Sequence, residues 1–151
     1  MIVFRIARTK HAHDLTGEGA RLNGGRWNHK LTPCIYAPES RALTLLEYSV
    51  NVSIDDIPGS MSITTIEIPD NILQPVVNAL PRNWRDSPAP STAKDFGTGL
   101  LTAATHPVIK LPSAIIPEEF NYILNPLHKD SKAFKIIAVS DFVYEMRIKG
   151  M

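Results

Sequence analysis

Residues 23–50, "NGGRWNHKLTPCIYAPESRALTLLEYSV", contain the change of period that decides the fold. "CIYA" at 34–37 is a short apolar run with a β-branched and an aromatic residue, the composition of a strand. Pro38 follows and suits the first turn of a helix, where its missing N–H costs no intrahelical bond. The helix is expected to run to about Val50. A strand feeding a helix after a glycine-bearing loop is the first sign of a mixed architecture.

Working outward, "IVFRI" at 2–6 reads as a strand and 9–25 as a polar loop carrying Gly17, Gly19, Gly24 and Gly25. "MSITTIEI" at 61–68 alternates as a strand does, and Pro69 with Asp70-Asn71 turns the chain. The proline-rich "PRNWRDSPAP" at 81–90 is read as irregular but ordered. Thr92 with Asp95 three residues on gives a capping-box start for a helix over 92–104, in which Gly97 and Gly99 imply close packing. "VIKLPSAII" at 108–116 is broken at Pro112-Ser113. "FKIIAV" at 134–139 and "FVYEMRI" at 142–148 read as two final strands. Strands and helices mix without regular alternation, so the expectation is α+β, with small mixed sheets and a few short helices, rather than a doubly wound sheet.

At 151 residues and 44% hydrophobic content the chain suffices for one core, and residues 1–151 are read as one domain. The formal net charge is +1 and the pI about 7.9, with Lys and Arg dispersed, which argues against direct nucleic-acid binding. No apolar run nears the roughly 20 residues of a membrane span. The N-terminus lacks an apolar stretch with a cleavage site, and Cys34 stands alone, so a reducing, cytoplasmic setting is expected.

Several side chains invite chemistry. With about 100° per helical residue, Leu46 and Val50 fall within about 60° of Leu43 on one side and Glu47 about 40° on the other. Glu47 therefore borders the apolar face, and a carboxylate there requires a partner or a ligand. A structural ion pair with Arg5 or Arg8 and a functional carboxylate are both open. Gly24-Gly25 would let a ligand approach the main chain, and Arg26 offers donors suited to phosphate or carboxylate; an ordinary turn with a surface Arg is the alternative. Tyr36 presents a flat ring with a polar tip. The Ser113 hydroxyl faces a site or satisfies a loop. Asn121 and Asn125, four residues apart, are read first as turn chemistry. His11-x-His13 lacks a third ligand at metal-site spacing. Cys34 in an apolar strand reads as a small hydrophobe rather than a nucleophile.

Taken together, "FRIAR", "GGRWN", "CIYAPESRALTLLEY", "PRNWRD" and "LPSAIIPEEFNYILNPLH" resemble the RES-domain family, the toxin half of bacterial RES–Xre toxin–antitoxin pairs, across nearly the whole chain. The family is named for conserved arginine, glutamate and serine. The resemblance implies a compact fold related to ADP-ribosyltransferase toxins and an enzyme that consumes NAD as substrate, with no further cofactor and no metal. Members degrade NAD by hydrolysis or phosphorolysis, or transfer its ADP-ribose to a protein, and are neutralised by an antitoxin with a helix-turn-helix region. Carried over residue by residue, Arg26 and Glu47 would be catalytic, and Tyr36, Ser113, Arg5, Asn121 and Asn125 would bind substrate. Members often have a glycine between the tryptophan and the strand, where this chain has Lys30-Leu31-Thr32. Self-association and higher-order complexes with the antitoxin are among the assemblies the resemblance admits. A nucleotide-binding module without turnover, and a ribonuclease using the histidines, are rival readings; near-neutral charge counts against the second.

Overall fold

The computed structural model describes residues 1–72 and 77–150. Two three-stranded antiparallel sheets form the frame. The first has the order β1-β3-β6, built from Ile2–Arg8, Met61–Glu67 and Lys135–Phe142; the second has β2-β5-β4, built from Ile35–Pro38, Phe120–Leu124 and Val108–Pro112. Three helices accompany them: α1 over Glu18–Asn23, α2 over Arg41–Asn51 and α3 over Ser91–Ala103. The α+β expectation holds, but both sheets are antiparallel rather than mixed.

The hydrophobic pattern accounts for the layering. Val3 and Ile66 of the first sheet meet Ile35, Ala37, Val108, Tyr122 and Leu124 of the second in one buried cluster. The opposite face of the second sheet is also apolar, with Cys34, Ile109, Leu111 and Ile123 packed under Trp27 and the α3 residues Ala93 and Leu101. The second sheet is thus covered on both faces, and its strand Phe120–Leu124 falls where the sequence reading expects turn chemistry. A third cluster, around Ile6, Met61 and Tyr144, takes Leu45 and Tyr48 of α2.

Local differences from the sequence reading have physical causes. Residues 18–23 form a helix inside what reads as a loop, closed by Gly24 at φ 71°. Pro38 ends β2, paired with Asn121, and α2 begins later, because the Ser40 hydroxyl caps it by accepting from the Leu43 N–H at 3.0 Å. The buried face of α2 carries Leu43, Thr44 and Ser49, while Val50 is 60% exposed. Ser49 goes inward at little cost because its hydroxyl donates to the Leu45 carbonyl and accepts from Tyr144 Oη at 2.6 Å. At α3 the capping box is absent: Thr92 donates to Asn83 Oδ1 and Asp95 pairs with His29. The two final strands are one, β6, followed by a 3-10 turn over Met146–Lys149. As an edge strand with mostly solvent-facing residues, β6 accommodates Ser140 and Asp141 within its pairing.

Candidate active site

The turn after α1 is fixed from inside the protein. Gly25 N–H bonds the Asn28 carbonyl at 3.1 Å, and Tyr36, reaching from β2, donates its hydroxyl to Asn28 Oδ1 at 2.6 Å while accepting from Trp27 N–H at 3.0 Å. A Cβ on Gly25 would lie 2.6 Å from Tyr36 Oη. The missing side chain therefore admits the tyrosine ring, where the sequence reading expects it to admit a ligand. Burial pushes the Tyr36 phenol well above its ordinary range, so it remains a neutral donor. Asn28, wholly buried, completes the lock by donating to the Ala20 and Thr32 carbonyls at 2.9 and 3.0 Å.

Arg26, held on this turn, sends Nη1 to the carbonyls of Trp84 and Asp86 at 2.8 and 2.7 Å. Among the described residues its Nε and Nη2 make no hydrogen bond, which leaves an edge of the guanidinium fork for a ligand. Arg5 is spent differently. Its Nη atoms donate to the carbonyls of Asp14, Ala12 and His11, tying the 9–14 loop to β1. Its Nε is buried without a partner among the described residues, and burial lowers its proton affinity, with Asp14 partly offsetting that.

Glu47, half-buried on α2, has two neutral donors on one oxygen. Ser113 Oγ and Asn121 Nδ2 both donate to Oε1, at 2.6 and 2.8 Å. Among the described residues Oε2 accepts no hydrogen bond and no Lys, Arg or His is ion-paired with the carboxylate. The structural ion pair with Arg5 or Arg8 is therefore not what holds it. Because a carboxylate only accepts, Asn121 must aim its NH2 at it, and this leaves Oδ1 buried and unpartnered among the described residues.

Arg5, Arg26, Tyr36, Glu47 and Asn121 all line one cleft of about 800 Å³, large enough for an extended small-molecule ligand. Two expected site residues are placed elsewhere. Ser113 is wholly buried, with its hydroxyl donating to Glu47 and accepting from the Ile115 and Ile116 N–H groups, so it holds the carboxylate and has no capacity left for a ligand. Asn125 is also fully buried; it ties the end of α3 and the following loop by donating to the Leu101 and His106 carbonyls. Its proximity in sequence to Asn121 is lost because the strand ends between them.

Sequence reasoning missed Asn28 and Lys94, which lines the cleft and donates to the Gly25 carbonyl at 2.6 Å. "GGRWN" itself held the signal for Asn28, a polar residue beside a core tryptophan. Lys94 had none, since its contact joins segments 69 residues apart. His11 and His13 are exposed, and no group of three metal-ligating side chains occurs among the described residues. Cys34 is 1% exposed, and burial pushes its thiol up to about 12, partly countered by the Tyr36 hydroxyl, so it is inert at neutral pH.

Comparison with known proteins gives a consistent set of likenesses. The family model described as the RES domain matches residues 2–146. A Prs ADP-ribosylating toxin of Sphingobium sp. (strain YBL2) is 36% identical over 146 residues, covering 94% of this chain and 91% of that protein. Toxin Res of Yersinia enterocolitica is 35% identical over 154 residues, covering 99% and 100%. A chain in the crystal structure of the M. tuberculosis MbcT–MbcA toxin–antitoxin complex superposes with a TM-score of 0.73 over 99% of this chain and 87% of that one; at 17% identity this is a likeness of fold. A family match that runs from the first strand into the C-terminal turn, with about one-third identity held along whole relatives, means that this chain belongs to the RES-domain family.

Proposed function

We infer that the chain is the toxin of a toxin–antitoxin pair and that it cleaves the nicotinamide–ribose bond of NAD. One observation carries the reading: a carboxylate, Glu47, whose Oε2 has no partner among the described residues, shares a cleft with an Arg26 edge that is likewise open among them. Nicotinamide leaves from a cationic bond as a neutral ring, so no general acid is needed. As the C–N bond breaks, its electron pair goes to the ring nitrogen and positive charge builds on the ribose, where a fixed carboxylate stabilises it. Arg26 then pairs with the diphosphate, and the Tyr36 ring forms a wall for the nicotinamide side. Water or phosphate completes the reaction by bonding to the ribose carbon and giving up a proton.

Relatives named Toxin Res, one of which is 35% identical along its whole length, support the toxin role. The 36% identical relative named a Prs ADP-ribosylating toxin favours a second reading, in which a protein side chain takes the place of water. An Xre-like helix-turn-helix antitoxin is the proposed partner.

Nicotinamide release from NAD by the purified chain, with products identified by NMR with and without phosphate, tests the chemistry. ADP-ribose or its 1″-phosphate separates hydrolysis from phosphorolysis. Label from radioactive NAD that becomes protein-bound in lysate identifies transfer. Absence of all three with folded protein would leave the nucleotide-binding module as the reading.

A further inference from the structure

We propose that Arg85 is a positioning residue for the Glu47 carboxylate, acting through two peptide groups of the 113–116 turn. The inference rests on the reading of Glu47 as the charge-stabilising group of the reaction.

Arg85 lies on the 81–90 segment with its side chain exposed at the rim of the fold. Its Nε donates to the Ala114 carbonyl at 2.8 Å and its Nη2 to the Ile115 carbonyl at 3.4 Å. Those carbonyls belong to the Ala114–Ile115 and Ile115–Ile116 peptide groups. The N–H groups of the same two peptides, on Ile115 and Ile116, both donate to Ser113 Oγ at 3.1 Å. Each peptide is thus gripped at its oxygen by a guanidinium and at its nitrogen by one hydroxyl. Ser113 Oγ, receiving two donors, must send its own proton to the remaining acceptor, Glu47 Oε1.

Two consequences follow from this connectivity. A cation on the carbonyl end of a peptide polarises it and strengthens its N–H as a donor, and a hydroxyl that accepts two such bonds becomes a better donor in turn. Arg85 therefore reinforces the bond that orients Glu47. The second is geometric. Arg26 grips the Trp84 and Asp86 carbonyls on either side of Arg85. A continuous path of hydrogen bonds and short backbone segments then runs from Arg26 through Arg85, Ala114, Ile115 and Ser113 to Glu47, linking the cation of the cleft to its carboxylate. No residue in that path between Arg26 and Glu47 needs to touch substrate.

The test compares Arg85→Ala, Arg85→Lys and the control Arg82→Ala, a change at another exposed arginine on the same segment. Amide exchange at Ile115 and Ile116 is followed beside steady-state nicotinamide release. For Arg85→Ala the expectation is exchange at both amides faster by about tenfold and kcat lower by about tenfold, with KM moving less than about twofold. Arg85→Lys should recover part of kcat, since one charged donor still reaches the carbonyls, and Arg82→Ala should match wild type. Because the side chain is exposed, thermal stability should stay near that of wild type. Unchanged amide exchange in Arg85→Ala would overturn the grip on the turn, and faster exchange with unchanged kcat would overturn the positioning role. A rise in KM shared with Arg82→Ala would make Arg85 a general electrostatic contributor instead. No nicotinamide release from wild type would sink the functional reading and with it the catalytic half of the proposal, while exchange at the two amides would still decide whether Arg85 braces the turn.

Discussion

Glu47 is an unusual residue to place on a half-buried helix face, and its surroundings explain why it is tolerated. Two neutral donors converge on Oε1, which offsets desolvation, and among the described residues no counter-ion neutralises the charge. Glu47→Gln keeps an Oε1 acceptor for both donors, so the variant should fold as wild type does, while the charge is lost. Nicotinamide release should fall by about 10²-fold or more at unchanged melting temperature. Retention of more than a tenth of the activity would remove Glu47 from the chemistry. In the loop between Trp27 and β2, Leu31 adopts φ 79° while 76% exposed. The leucine is strained in this left-handed conformation. Relief of that strain outweighs the added freedom of the unfolded chain, so Leu31→Gly should raise stability by about 0.5–1 kcal/mol in urea unfolding. A loss of stability would mean that the leucine side chain does more than its exposure indicates.

At the level of elements, α3 shows how one residue type serves opposite ends within a single turn. A Cβ on Gly97 would lie 1.9 Å from the Trp27 carbonyl oxygen, whereas one on Gly99 would meet nothing within 4 Å. Gly97 is therefore the contact at which α3 presses on the "GGRWN" turn, and the close packing read from both glycines belongs to one of them. Gly97→Ala must move either the helix or the Trp27 backbone, and should destabilise by about 3 kcal/mol or more, carrying activity with it through Arg26. Gly99→Ala, at an exposed helical site, should stabilise by about 0.5–1 kcal/mol. Paired urea titrations decide this, and equal effects at the two sites would contradict the packing described. The stacked pair Trp27 and Trp84, with ring centroids 6.0 Å apart, extends the same contact to the 81–90 segment.

Across the molecule, the cleft exists because the two sheets and their helices deliver residues from distant segments to one place. Arg26 comes from the turn after α1, Tyr36 from β2, Glu47 from α2 and Asn121 from β5. No helix among the described residues is long and apolar enough to cross a membrane. Burial under this assembly also makes part of the stability depend on alkaline pH. The Cys34 thiol, ordinarily at 9.0, titrates only at about 12 in the folded chain, and the Tyr36 phenol is raised as well. From pH 9 to 12 the unfolded chain gives up a proton that the folded chain keeps, so the stability Cys34 contributes is intact below pH 9 and is lost above it, by up to about 1.4 kcal/mol per pH unit. Urea midpoints at pH 8 and 10.5 should drop more steeply for wild type than for Cys34→Ala. Parallel slopes would show that the thiol titrates alike in both states.

Sequence alone determined the local events: the strand read at 34–37 and found at Ile35–Pro38, the strand read at 61–68 and found at Met61–Glu67, the helix that carries Glu47 and the α+β class, because period, proline placement and apolar runs act within a few residues of one another. It also brought forward Arg26, Tyr36, Glu47 and Asn121, all of which the structure places on one cleft. Tertiary structure decided what those residues touch. Ser113 lies 66 positions from Glu47, and Arg85 lies about 30 from the carbonyls it holds, separations that no local pattern encodes. The same is true of Gly25, whose reason is a tyrosine ring from β2, and of Asn125, which the end of β5 directs away from the cleft. Which polar atom is satisfied by which partner is a property of packed surfaces, and only the folded chain brings those surfaces together.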